Sequence, residues 1–155
     1  ATYCARAAEK LRSQGSIAEC VHVFLVTNRF RCELPQYSNS LNTQLAVPTA
    51  FTPDIISTAG LLLERIYREG YRYKKVGVML TGIFSQANLQ MNLFSPAQLE
   101  GQKRKLMKTV DRINEKLGRD MVRYASTGFD REWKMKRQLC SPRYTTCWSE
   151  LPRVK

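Results

Sequence analysis

From the N-terminus, apolar and polar positions first follow a helical period. Ala8 and Leu11 share one side of TYCARAAEKLRSQ (residues 2–14), good helix formers fill the rest, and Gly15 stands as the stop. ECVHVFLVTNRF then switches to a dense run of β-branched and aromatic residues, which predicts a buried strand from about Cys20 to Phe30. RCELPQYSNSLN reads as a polar connection. NTQLAVPTAF alternates well enough for a second strand, in which Pro48, lacking an amide donor, marks an edge or a bulge. Thr52-Pro53-Asp54 is a helix start: a hydroxyl cap, a proline in the first turn and an acid at the positive end of the dipole. Ile55, Ala59, Leu62, Leu63 and Ile66 continue it at helical spacing towards a stop at Gly70, and VGVML within YRYKKVGVMLTGIF marks a third strand. The predicted order is helix, strand, strand, helix, strand.

Beyond Phe84 the texture changes. QANLQMNLF reads as irregular or extended chain. Ser95-Pro96-Ala97-Gln98 forms a capping-box pattern for a long helix from Pro96 to about Leu117, with Gly118 as its end. Its apolar line is Leu99, Leu106, Val110, Ile113 and Leu117. Arg104, Lys108, Arg112 and Lys116 recur on another face, where Asp111 and Glu115 predict intrahelical ion pairs. RDMVRYAST suggests a short strand, and the remainder shows no period. There, Trp133 and Trp148 are expected to bury and fix the tail, and Arg143 to hold an anion. A chain of 155 residues supports one ordinary domain, or a small domain with a substantial extension. No apolar run is long enough to cross a bilayer, and ATYCARAAEK lacks the apolar middle of a signal peptide, as expected of a fragment starting inside a helix.

Charge sharpens this picture. Twenty-five Lys and Arg oppose 13 Asp and Glu, a formal net charge of +12, which favours polyanionic partners. The excess is uneven: residues 1–82 carry ten basic against six acidic side chains, residues 83–155 fifteen against seven. Five cysteines without a Cys-x-x-Cys, and a single histidine, His22, do not make a zinc site. They read as reduced thiols of a cytosolic protein, and His22 as a packed or hydrogen-bonded strand residue.

Helix, two strands, helix, then a strand opening on Lys74-Lys75 before Val76-Gly77-Val78 resembles the little finger of Y-family DNA polymerases. The later motifs narrow the likeness: Gln90-x-x-Leu93-Phe94, a long helix ending INEKLGR, then VRYAS, W-x-M-x-R and SPRYTTCWSELP. Together they resemble the C-terminal region of UmuC-type translesion polymerases, the ImpB/MucB/SamB family. The resemblance implies an α+β fold: a little-finger-like antiparallel sheet with two helices on one face, followed by a long helix and a mostly irregular extension. It implies a DNA-binding little finger over 1–84, a linker with a clamp-binding motif over 85–95, and an extension over 96–155. The family's first strand would lie upstream of Ala1, so its sheet position is expected to be filled by a partner chain or by rearranged pairing.

The same resemblance implies the functional residues. Lys74 and Lys75, and with them Arg29, Arg31 and Arg72, would contact the phosphates of primer–template DNA. Gln90, Met91, Asn92, Leu93 and Phe94 would bind a sliding clamp. The implied parent activity is DNA-directed DNA synthesis past lesions in DNA repair and the SOS response, in the cytoplasm at the nucleoid, with a UmuD-type subunit and a recombinase filament as partners. Its magnesium would be held by palm carboxylates outside these residues. No catalytic or metal-binding residue is assigned here, Glu64 and Glu69 included. Four other readings stand beside it. Leu93 and Phe94 suit a hydrophobic staple for the following helix, and the lysine pair suits a solvated strand edge. The whole suits a non-catalytic nucleic-acid adaptor, or a small nuclease or transferase using Arg143, Tyr144 and Trp148.

Overall fold

A computed structural model describes residues 1–89, 97–129 and 140–151. The described elements are α1 (Thr2–Ser13), β1 (Ser16–Thr27), β2 (Ser38–Thr49), α2 (Thr52–Ile66), β3 (Tyr73–Ser85) and α3 (Ala97–Leu117), with short 3-10 turns at Gln86–Asn88, Ala125–Thr127 and Trp148–Glu150. The three strands form an antiparallel sheet in the order β2-β1-β3. The expected α+β, little-finger-like sheet with two helices on one face is what the chain builds.

Strand alternation explains the layering. Val21, Val23, Leu25 and Thr27 point to one side of β1 and are buried. Cys4 and Ala8 of α1 and Ile55, Ala59, Leu62 and Ile66 of α2 pack on that side in one cluster. Ala8 is fully buried, its small side chain allowing α1 a close approach. Burial pushes the Cys4 thiol pKa up. Leu11, Ile17, Ala18 and Ala50 form a second cluster with Leu80, Phe84 and Leu89 at the far end of the sheet. Gly15, at φ +64°, makes the left-handed turn from α1 into β1.

Several expectations need correction. β1 is not a strand buried on both faces. It ends at Thr27, and its second face carries Cys20, His22, Phe24 and Val26, all partly exposed. β2 starts at Ser38, inside the supposed connection. Ser38, Ser40 and Asn42 pair with Val26, Phe24 and His22, so their polarity marks an uncovered sheet face rather than a loop. Pro48 falls in the irregular stretch between the Cys20–Gln44 and Ala18–Thr49 pairs of an edge strand, where a missing donor costs little. Thr52 is not the cap: Phe51 holds that position, and the buried Thr52 hydroxyl accepts a hydrogen bond from Arg12. α2 stops at Ile66, short of Gly70.

RDMVRYAST forms no strand. Asn114 donates to the Val122 carbonyl at 2.9 Å and accepts from the Val122 amide at 2.8 Å, pinning that segment against α3 instead. Trp148 is 89% exposed and does not anchor the tail, while Trp133 lies outside the described residues. The Arg143 guanidinium binds the chain's own Glu150, at 2.7 Å, and holds that carboxyl below its usual range.

α3 joins the helix layer through long polar side chains. Arg12 of α1 donates to both carboxylate oxygens of Asp111, at 2.6 and 2.7 Å, and to the Ala50 carbonyl and Thr52 hydroxyl, each at 2.8 Å. Asp111 thus pairs with another helix, not with the basic row of its own. Lys103 reaches Asp54 of α2 at 2.9 Å and Glu100 at 3.0 Å, with Phe51 beneath it. The hydrogen bond to Asp54 is the main reason its pKa lies above the ordinary lysine range. Met107 is the buried apolar residue of α3, and Tyr124 donates to its sulfur. The expected apolar line is split: Val110 and Ile113 are half-buried, whereas Leu99, Leu106 and Leu117 are exposed.

Arg12→Ala is expected to lower unfolding stability by about 2 kcal/mol in urea, because it leaves a half-buried Asp111 and a buried Thr52 hydroxyl without their donor. An unchanged midpoint would show that α3 docks without it. Because the folded Lys103 pKa is raised, its contribution is complete below the ordinary lysine pKa and fades as pH climbs through the raised value. The urea midpoint of the wild type should therefore fall as pH rises into the alkaline range, and Lys103→Met should show a shallower fall.

Candidate nucleic-acid interface

With both α1 and α2 on one side, the opposite face of the sheet has no covering helix among the described residues. β2 supplies Ser40, Asn42 and Gln44 to that face, β1 supplies Cys20, His22 and Phe24, and β3 supplies Lys75, Gly77, Met79 and Thr81. Met79 is 51% exposed. Gly77 is needed for close approach: the Phe24 ring lies across it, where a Cβ would collide with the ring. The Lys75 ammonium sits 5.7 Å from the centre of the same ring, a cation–π arrangement that keeps the charge at the surface. His22 lies 6.2 Å from Phe24 on this open face rather than packed within the core.

The two lysines do not share a direction. Val26 pairs with Lys75 and Thr27 with Tyr73, so Lys74 is the extra residue of a β-bulge on edge strand β3. Lys75 joins the open face. Lys74 instead lines a groove with Arg72 of the α2–β3 turn and Arg31 of the β1–β2 loop. Arg29 lies exposed in that loop. None of these five cations takes part in an ion pair among the described residues. Towards the opposite end of the sheet, Glu19 accepts a hydrogen bond from Gln44. Positive potential is therefore concentrated where β1 leaves the sheet and β3 enters it.

That loop carries features the hydrophobic pattern did not single out. The Gln36 carboxamide donates to the carbonyls of Asn28, Arg31 and Leu34, at 3.2, 2.8 and 3.1 Å, and accepts from the Thr27 hydroxyl at 2.8 Å. Asn28 Oδ1 accepts from the Phe30 amide at 3.2 Å. These bonds fix the loop around one side chain while Phe30 stands 95% exposed between Arg29 and Arg31. The one available signal was Asn28 followed by Arg-Phe-Arg, a turn residue ahead of an aromatic set between cations. Nearby, Tyr37, Tyr67, Tyr71 and Tyr73 form a ring cluster, with the Arg68 guanidinium 5.0 Å over Tyr37.

Arg104, Lys108, Arg112 and Lys116 are exposed on α3, away from the sheet's open face. Gln90, Met91, Asn92, Leu93 and Phe94 lie outside the described residues. Asp54, Glu100, Asp111, Asp120 and Glu150 each face a Lys or Arg. No group of three or more His, Cys, Asp and Glu that could hold a metal ion gathers among the described residues. Nor is any described helix long and apolar enough to cross a membrane.

Comparison with known proteins gives this geometry a family. Residues 1–93 match the impB/mucB/samB family C-terminal domain, and residues 104–154 match a domain of unknown function, DUF4113. Protein UmuC of Salmonella typhimurium strain LT2 is 42% identical over 154 residues, covering 99% of this chain and 36% of the relative. Protein SamB of Salmonella typhimurium is 39% identical over 150 residues, with 97% and 35% covered, and Protein MucB of Escherichia coli is 37% identical over 150 residues with the same coverage. The chain thus spans about a third of the length of these curated relatives. No solved structure matches it significantly. With the family domain matched over the entire sheet and both of its packed helices, the chain belongs to the impB/mucB/samB family.

Proposed function

We infer that this chain is the DNA-gripping and clamp-docking region of a translesion DNA polymerase of the UmuC type, acting in DNA repair. The observation that carries the reading is the uncovered sheet face ending in Lys74, Lys75, Arg29, Arg31 and Arg72, within a domain of this family. Lys75 from the open face and Lys74 from the bulge would bind phosphates of primer–template DNA. Such contacts place the duplex without reading its sequence, as suits an enzyme that must accept any template. The neutral residues of β2 would approach the backbone through hydrogen bonds without adding charge repulsion.

Gln90–Phe94 would supply the second function. Leu93 and Phe94 are two apolar anchors for a pocket on a sliding clamp, with Gln90 bonding at its rim. A weak tether suffices, because it converts a bimolecular encounter into an intramolecular one at high effective concentration. Template-directed nucleotide addition would then occur at magnesium-binding carboxylates elsewhere in the polymerase, with a UmuD-type subunit and a recombinase filament as its partners in the cytoplasm. An adaptor without a polymerase would share the grip. Extension of a primer by the full-length protein, and its loss on removing residues 1–89, distinguishes the two.

If about three phosphates are engaged, affinity for duplex DNA should fall about forty-fold between 50 and 200 mM salt. Lys74→Ala with Lys75→Ala should flatten the salt slope by about one unit per lysine. A salt-insensitive affinity would contradict an electrostatic grip. Replacing Leu93 and Phe94 by alanine should abolish retention on immobilised clamp at an unchanged melting temperature, whereas a lowered melting temperature would favour the helix staple.

A further inference from the structure

We propose that the β1–β2 loop is a docking point for unpaired nucleotides, with Phe30 as a stacking platform for one exposed base and Arg31, Arg72 and Lys74 as the seat of the adjoining phosphates. The proposal rests on the DNA-binding reading and adds to it a strand type and a residue. An aromatic side chain 95% exposed on a disordered tip would mean little, but this loop is held by the four Gln36 bonds and by the Asn28 bond to the Phe30 amide itself. Holding an apolar ring in water is unfavourable, and the loop's internal bonds maintain that arrangement instead of relieving it.

The chemistry around the ring selects the occupant. The groove beside the loop, about 230 Å³ in volume, brings together Arg31, Arg72 and Lys74. Glu33 and Glu69 are the acids nearest in sequence, and neither pairs with those cations among the described residues. An apolar protein partner would leave three guanidinium and ammonium groups without counter-charges, and a second copy of this chain would bring further positive charge. A single strand supplies both complements, a π-face for the ring and phosphates for the cations. In duplex DNA the base faces are stacked on each other, so the ring has no partner there. Lys75, on the open face, remains available to the duplex, which places the paired and unpaired segments of a template side by side.

The test uses the 155-residue chain with three fluorescent probes: a short oligothymidylate, an abasic strand with the same number of phosphates, and a blunt duplex. The wild type should prefer oligothymidylate to the abasic strand. Phe30→Ala should weaken oligothymidylate binding about ten-fold, erase that preference and leave duplex affinity unchanged, while Phe30→Trp should restore it. Ring protons of Phe30 should move upfield when oligothymidylate is added. Wild-type affinity that ignores the presence of bases overturns the proposal, as does a Phe30→Ala loss of equal size on all three probes. Salt-dependent duplex binding with no base preference removes this proposal alone. Failure to bind any of the three removes the DNA reading with it.

Discussion

One guanidinium holds the layers of this protein in register. Arg12 leaves the last turn of α1 and makes four hydrogen bonds, two to Asp111 of α3 and two to the corner where β2 turns into α2. A lysine could not substitute, since a single ammonium cannot face a bidentate carboxylate while also satisfying a carbonyl and a hydroxyl in a different direction. The corner needs that donor. Ala50 and Thr52 are both buried, and a buried polar atom without a partner costs about 1–3 kcal/mol. Lys103 adds a parallel link to Asp54, so α3 is attached by charge and reach, with Met107 supplying the apolar contact.

Among the described residues, α1 and α2 pack on one side of the sheet, which leaves the other side open to solvent or to a partner. An antiparallel sheet tolerates this, because its strands can alternate apolar and polar side chains. Here β1 keeps Val21, Val23 and Leu25 inside and turns His22 and Phe24 outwards, while β2 faces outwards with serine, asparagine and glutamine. The cations of the outward side gather at one end, from Lys75 to the β1–β2 loop. The Lys74 bulge widens the cationic end. It splits neighbouring lysines between the open face and the loop groove, where regular alternation would have sent one of them into the helix layer.

Membership of the impB/mucB/samB family and the layered geometry bear on the same residues from different directions. The family domain spans residues 1–93, which include the whole sheet, the cationic end and the Gln90–Leu93 positions of the motif. Residues 104–154 match a separate domain, which includes α3 from Arg104 onwards; α3 meets the first domain through Asp111, paired with Arg12, and through Lys103 just ahead of the match, paired with Asp54. Among the described residues, the extension therefore meets the sheet domain from the helix side and leaves the opposite face of the sheet uncovered.

The sequence alone determined the order of elements, their approximate ends and the family likeness. Each follows from local causes: the period of Val21–Leu25, the Pro53 start of α2, the Gly118 stop and the density of lysine and arginine. It misplaced what depends on partners distant in sequence. Polar Ser38–Asn42 read as loop because nothing nearby revealed that one sheet face is uncovered. Asp111 looked like a mate for its own helix because Arg12 is 99 residues away. The apolar line of α3 looked like its packing face, yet its leucines are exposed, only Val110 and Ile113 of it are half-buried, and Met107 beside it is buried. Trp148 was expected inside on the strength of its ring alone. Only the tertiary structure could decide which face of each element meets another, because that is fixed by chain crossings that bring remote side chains within a few ångströms, and no local period encodes them.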